Sequence, residues 1–246
     1  MFDLSYISAQ EIRKTRDIFK IFTKQKKMLV DALESLGEKS IKSADPIDEW
    51  ESETRPYVGD YLFVALKPLM LQASKPTIEQ YNKYLPEWYT LRFDLPTDPA
   101  KKYLDKLRRL HLSNYQWSIS ATTNDEIRGI IAQWLSDGLS YNAIAKNIKT
   151  QDLFVFSRAR ANLIAITEGG RAYWFAHFEP AIEMQKMGYT MEKLWITSHD
   201  GQVRSTHSHN ESLSWIPLEK KFPNGDDFAP SVMDIRCRCH HITRIV

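Results

Sequence analysis

The chain has 246 residues, with 33 Lys or Arg against 31 Asp or Glu, a net charge of +2, 43% hydrophobic and 26% charged residues. That composition suits a soluble globular protein with a sizeable core and leaves room for one large domain or two modest ones. It excludes a polycation that would hold nucleic acid through bulk charge, so any such attraction has to come from local patterning.

Taken from the amino terminus, MFDLSYISAQEIRK lacks a basic segment followed by an apolar one, and no secretory leader is expected. Residues 8–42 read as a helix, because Ile12, Ile18, Phe19, Phe22, Met28, Leu29, Leu33 and Leu36 recur at helical spacing and Gly37 follows. Within it Arg13, Lys14, Arg16, Lys20, Lys24, Lys26 and Lys27 stand against Asp17 alone. This run is either a solvated face or an arm toward phosphate or an acidic partner, with Lys20, Lys24, Lys26 and Lys27 as the contacting residues. The apolar stripe beside it is expected to dock on a partner or on residues 43–120.

Residues 43–100 carry Pro46, Pro56, Pro68, Pro76, Pro86, Pro96 and Pro99, which predicts short helices joined by turns. Trp50, Tyr57, Tyr61, Tyr81, Tyr84, Trp88 and Tyr89, set between them, read as core for those elements rather than a base-stacking platform. The most apolar window, YLFVALKPLMLQA, is interrupted by Lys67 and Pro68 and is too short to cross a bilayer. LPTDPA and NYQWSISATT read as linkers, which divides the chain into a helical region 1–120 and a second region 121–246.

Thr123 to Glu126 has the form of a capping box before IRGIIAQWL, and Asp137-Gly138 ends that helix. Ser140 is placed to cap the next helix, YNAIAKNI, whose resemblance to a helix-turn-helix is superficial, since Lys146 alone would reach a base. A long helix is predicted over 154–187, stopped by Gly188. From about residue 190 the texture turns to short alternating runs, KLWITS, LSWIPL and RCRCHHITRIV, which predict strands. The fold class is therefore α+β, mostly helical with a small mixed unit at the carboxy end.

The chemistry concentrates in that unit. The two cysteines, Cys237 and Cys239, are one residue apart and cannot form an ordinary cross-fold disulfide, which fits a reducing cytoplasm or a particle assembled there. Placed on a strand, CRCHH would put Cys237, Cys239 and His241 on one face. With His207 as the best third donor and His241 or Asp200 as the fourth, they could hold zinc; otherwise the cysteines pack as small buried hydrophobes. Asp200, Arg204, His207 and Glu168 could also share a pocket for hydrolytic chemistry. No Gly-rich phosphate loop or activated nucleophile accompanies them, so a hydrogen-bonded network that braces a loop-rich unit is the simpler reading.

Three of these stretches carry a resemblance. SRARANLIAITEGGRAYW resembles the R-A-x-x-I-A-x-T-E segment of phage head morphogenesis proteins. LWITSHDGQVRSTHSHN is similar to their W-x-T-x-x-D-x-R-V-R-x-x-H run, and FAPSVMDIRCRC to their closing C-R-C. The resemblance is to the Mu F-like minor head proteins, over about residues 125–246. It places the family pattern on Arg158, Thr167, Glu168, Trp195, Asp200, Arg204, His207, Cys237, Arg238 and Cys239. Gln202, Asn210-Glu211 and Ile166 depart from it. The resemblance implies a non-enzymatic minor capsid component inside the head, made in the host cytoplasm and close to the portal protein, other head proteins and packaged double-stranded DNA, with no membrane association. The rival is a metal-dependent nuclease or hydrolase built on His207, His209, Cys237, Cys239 and Asp200; a third reading is a DNA-binding adaptor outside any capsid.

Overall fold

The computed structural model describes residues 4–36, 46–91, 119–230 and 235–246. In order these form α1 (Leu4–Leu36), α2 (Pro46–Asn82), α3 (Ile119–Ser136), α4 (Tyr141–Thr150), a 3-10 turn (Phe154–Phe156), α5 (Arg158–Lys186), β1 (Met191–Ile196), α6 (Ser205–Ser212), β2 (Ile216–Pro217) and β3 (His240–Ile245). The fold is α+β, as its sequence texture predicts. Among the described residues no helix is long and apolar enough to cross a membrane. Packing gathers the chain into two compact units, Met1–Val64 with Leu104–Ala165 and Ala65–Tyr103 with Ile166–Val246. They divide the chain by contact, whereas the split near residue 120 divides it by texture.

In the first unit α1 buries Ile18, Phe22, Leu29 and Leu33 at helical spacing. Among the described residues it packs on α4 and the 3-10 turn. Trp50 of α2 adds a buried indole N–H donated to the Gln25 carbonyl at 3.0 Å. α4 starts as expected, with the Ser140 hydroxyl accepting from the Ala143 amide, and it turns Ile144, Ala145 and Ile148 inward. Gly138, at φ +83°, supplies the left-handed turn that ends α3. The capping box is a correction. α3 begins at Ile119, so Thr123 lies inside the helix and its hydroxyl donates back to the Ile119 carbonyl at 2.6 Å.

The organiser of this unit is Arg160, in the first turn of α5. Its guanidinium is buried and donates to the carbonyls of Val155 (2.8 Å) and Ile119 (3.1 Å) and to the Thr122 hydroxyl (3.0 Å). It also lies 5.3 Å over the Phe22 ring. Burial lowers its pKa to about 10, with Glu126 partly offsetting the effect. One side chain thereby joins α1, α3, the 3-10 turn and α5.

The expectation of short helices over 43–100 is overturned within residues 46–91; Pro96 and Pro99 lie outside the described residues. α2 runs for 37 residues through Pro56, Pro68 and Pro76. Each interior proline removes a hydrogen bond and costs about 3 kcal/mol. Yet Leu66, Leu69, Met70, Ala73 and Tyr81 are buried at helical spacing, and that packed stripe outweighs the local preference. The aromatic run also divides: Trp50 and Tyr81 are core, while Tyr84, Trp88 and Tyr89 are exposed.

In the second unit the sheet has the order β2-β1-β3, antiparallel throughout, with Trp195 opposite His241 and Leu194 opposite Ile242. α5 starts at Arg158, after the 3-10 turn that the sequence reading merged into it, and ends before Gly188 at φ +94°. It covers the sheet with Phe178, Ala181 and Met184, which pack with Tyr81, Leu91, Met191, Leu218 and Phe228. Two neutral imidazoles lie within this core. His177 shares a 2.8 Å hydrogen bond with the Thr77 hydroxyl, and His241 donates Nδ1–H to the Ala229 carbonyl at 2.6 Å.

Burial, reinforced by His240, holds His177 at about 4, and burial holds His241 at about 3, against 6.5 for a free imidazole. Both are depressed, so the unfolded chain binds these protons first as pH falls. The stability that the neutral rings contribute is complete above about pH 6.5 and declines below it, through the folded values. Urea unfolding should show stability falling between pH 6.5 and 4.5 with a limiting slope of up to about 2.7 kcal/mol per pH unit, two protons' worth. Stability independent of pH across that window would contradict the burial of both rings as neutral species.

Candidate functional site: a histidine and two cysteines beneath Trp195

β1 alternates, with Met191, Lys193 and Trp195 buried, and delivers the Trp195 indole to the base of the loop 197–204. Glu211 of α6 clamps that loop. Its carboxylate accepts from the Thr197 amide (3.0 Å) and hydroxyl (2.8 Å), and pairs with His199 at 2.8 Å. Burial opposes its charge, but the Thr197 and His199 hydrogen bonds outweigh burial and hold the carboxyl below its ordinary range. Although Glu211 lies at a departure from the family pattern, it is the residue that fixes α6 against β1.

α6 is eight residues long and presents His207 and Asn210 inward. The His207 ring lies 5.0 Å from the Trp195 ring, and its Nδ1 faces both sulfurs, at 3.6 Å from Cys237 and 3.4 Å from Cys239. Donor atoms of all three lie within 4.8 Å of one another, and both cysteines are free thiols. Trp195, Ile216, Phe222 and Ala229 pack with Cys239, so the cluster borders a dry wall.

The cysteines arrive by a route that strand alternation does not predict. β3 begins at His240, and residues 237–239 form an extended loop after Arg236, which sits at φ +58°. A left-handed arginine is strained, and strain of this kind persists only where surrounding contacts impose it. Here the Arg236 amide donates to the Thr167 hydroxyl at 3.1 Å, and the Ile235 carbonyl accepts from Arg204 at 3.0 Å. These two bonds aim Cys237 and Cys239 at His207. His241 is not part of the cluster: it lies in the strand proper, bonded to Ala229 and packed on Phe178 and Phe228, which removes it as a fourth donor.

The second predicted constellation does not assemble as one pocket. Glu168 is buried and pairs with Arg171 along α5 at 2.7 Å. Asp200 is exposed and accepts from the Gln202 amide within its own turn. Arg204 serves the Ile235 carbonyl, and His207 belongs with the sulfurs. Arg238 and His209 are exposed.

The buried arginine of the first motif is Arg160, not Arg158. Counting R-A-x-x-I-A-x-T-E back from Thr167-Glu168 gives Arg160-Ala161, while Arg158 is exposed with its guanidinium 5.8 Å from the Phe19 ring. Lys193 was also missed. Fully buried, it donates to the Asp227 carbonyl at 2.6 Å between the rings of Phe178 (5.4 Å) and Phe222 (5.1 Å). Burial lowers its pKa to about 8, against the pull of Asp227. Basic residues inside a strand signal surface, so only a packing clue could have found it.

The Cys239 thiol is pushed far up by its hydrogen bond to Cys237 and by burial, while the Trp195 indole and the Ser198 amide act in the opposite sense. Thr167→Val keeps the shape of the residue but removes the acceptor of the Arg236 amide. It should cost about 1–2 kcal/mol in urea unfolding with helix content unchanged. A variant as stable as the parent would show that this bond does not hold the closing loop.

No curated protein and no solved structure matches the chain. A family model described as Phage Mu protein F like protein matches residues 125–242, from within α3 to within β3. That stretch contains Arg160, Thr167, Trp195, His207 and both cysteines, and over it the chain is similar to the Phage Mu protein F like family.

Proposed function

We propose that the protein is a minor head protein of a tailed phage or phage-like particle, acting in head assembly at the portal and close to packaged double-stranded DNA. The observation that carries this reading is the family match over residues 125–242. The part played by the motif residues supports it. Thr167, Glu168, Arg204 and His207 each make internal contacts that hold the unit together, as an assembly component requires. The hydrolase reading needs Asp200 and His209 beside the cysteines, and both are exposed, with Asp200 capping its own turn.

The amino-terminal helix offers the surface for a phosphate-rich or acidic partner. Lys20, Lys24 and Lys27 are exposed on α1, Lys20 lying 3.7 Å from the Asp17 carboxylate, and Lys26 donates to the Gln151 carbonyl at 3.0 Å. Contacts to nucleic acid backbone release counterions, so they weaken steeply with salt and carry no sequence information.

Two measurements test this. Heads purified from infected or induced cells should contain the protein together with portal protein, and heads made without it should be fewer or non-infectious; normal heads without it would reject the proposal. The triple variant Lys20→Glu, Lys24→Glu, Lys27→Glu should fold normally by circular dichroism yet enter heads at least about tenfold less, with the salt dependence of DNA or portal binding flattened. Undiminished incorporation would show that these lysines are a solvated face.

A further inference from the structure

We propose that His207, Cys237 and Cys239 bind a zinc ion, through Nδ1 of the imidazole and both sulfurs. Three independent features of the site lead there. Tetrahedral zinc with bonds of about 2.3 Å to sulfur and 2.0–2.1 Å to nitrogen sets each nitrogen–sulfur edge at about 3.6 Å. The observed edges are 3.6 and 3.4 Å. Hydrogen bonding explains the arrangement less well: Nδ1 has one lone pair in the ring plane and can accept from one thiol, whereas two sulfurs lie within 3.6 Å of it.

The second feature is a buried donor. The Trp195 indole N–H is fully buried beside the Cys239 sulfur and has no oxygen or nitrogen acceptor. A thiol is a poor acceptor for it, while a metal-bound thiolate is a good one. The third is the strained approach. Arg236 is held left-handed by Thr167, and that conformation is what turns two alternate residues of one short loop toward one histidine.

Soft thiolates with an imidazole select zinc over the oxygen-seeking cations. On binding, both thiols lose their protons to solvent and His207 keeps its proton on Nε2, so the Zn(II) gains two anionic sulfurs and one neutral nitrogen with no change of oxidation state. Among the described residues the group has three members. The fourth position is open to water or to one further donor. The ion joins α6 to a loop 30 residues further along the chain.

The test uses the full chain purified without chelator. It should carry about one zinc per chain by elemental analysis, and after chelation cobalt should restore about one equivalent with the thiolate charge-transfer and intense visible bands of a tetrahedral sulfur site. Zinc should slow alkylation of both thiols by at least about tenfold. Cys237→Ser and His207→Ala should each lower retention to below about a tenth of an equivalent, while His209→Ala, an exposed control, should keep it whole. Should either ligand variant fail to fold, the cobalt spectrum and thiol protection of the parent chain decide. A folded parent that keeps no zinc after dialysis, gives no thiolate–cobalt band and alkylates equally fast with and without zinc would overturn the proposal.

Discussion

The carboxy-terminal unit depends on one convergence: a single imidazole nitrogen facing two sulfurs beneath a buried indole. The sheet beside it is small. β1 and β3 have six residues each and β2 has two, so the ladder alone supplies little order. What closes the unit is the meeting of α6 with the loop before β3, and every nearby contact serves that meeting. Glu211 fixes α6 to the end of β1, Arg204 and Thr167 fix the loop, and Trp195 walls the cluster on its apolar side. The family motifs are separated along the chain because they contribute different parts of one joint.

A second constraint is that both units hold charge or polarity inside. Arg160 satisfies two carbonyls and a hydroxyl while resting on Phe22; Lys193 satisfies one carbonyl between two aromatic rings. Buried cations are tolerated only when their donors are used, and such donors in turn dictate which backbone groups must be near them. In this protein they fix where helices and loops meet, a specification that apolar packing alone leaves loose. His177 and His241 complete the pattern as neutral rings whose hydrogen bonds tie α5 and β3 to their neighbours.

Much of this was legible from residues. The long basic amphipathic helix, the Ser140 cap, the glycine stops at Gly138 and Gly188, and the strand texture after residue 190 all follow from local rules and hold in the structure. The grouping of His207 with Cys237 and Cys239 was legible too, but through the wrong geometry. Alternation put His241 with the cysteines, because nothing in CRCHH announces that Arg236 is left-handed and that the strand starts only at His240. The failures at α2 and Thr123 share a cause. Proline and capping preferences are local, and a buried stripe from Leu66 to Tyr81, or a helix that begins four residues earlier, overrides them through packing that the local sequence does not display. Arg160 and Lys193 were hidden because burial of a cation is decided by distant carbonyls.

The account turns on His207 and Cys239 acting as one joint rather than as two separate core residues. A double-mutant cycle of His207→Ala and Cys239→Ala, followed by urea unfolding of the full chain and its variants, measures that directly. Residues that share one interaction are strongly non-additive, so the coupling should be at least about 1 kcal/mol, with the double variant scarcely less stable than either single one. Additive losses, with coupling inside about 0.3 kcal/mol, would contradict the claim that this contact closes the unit.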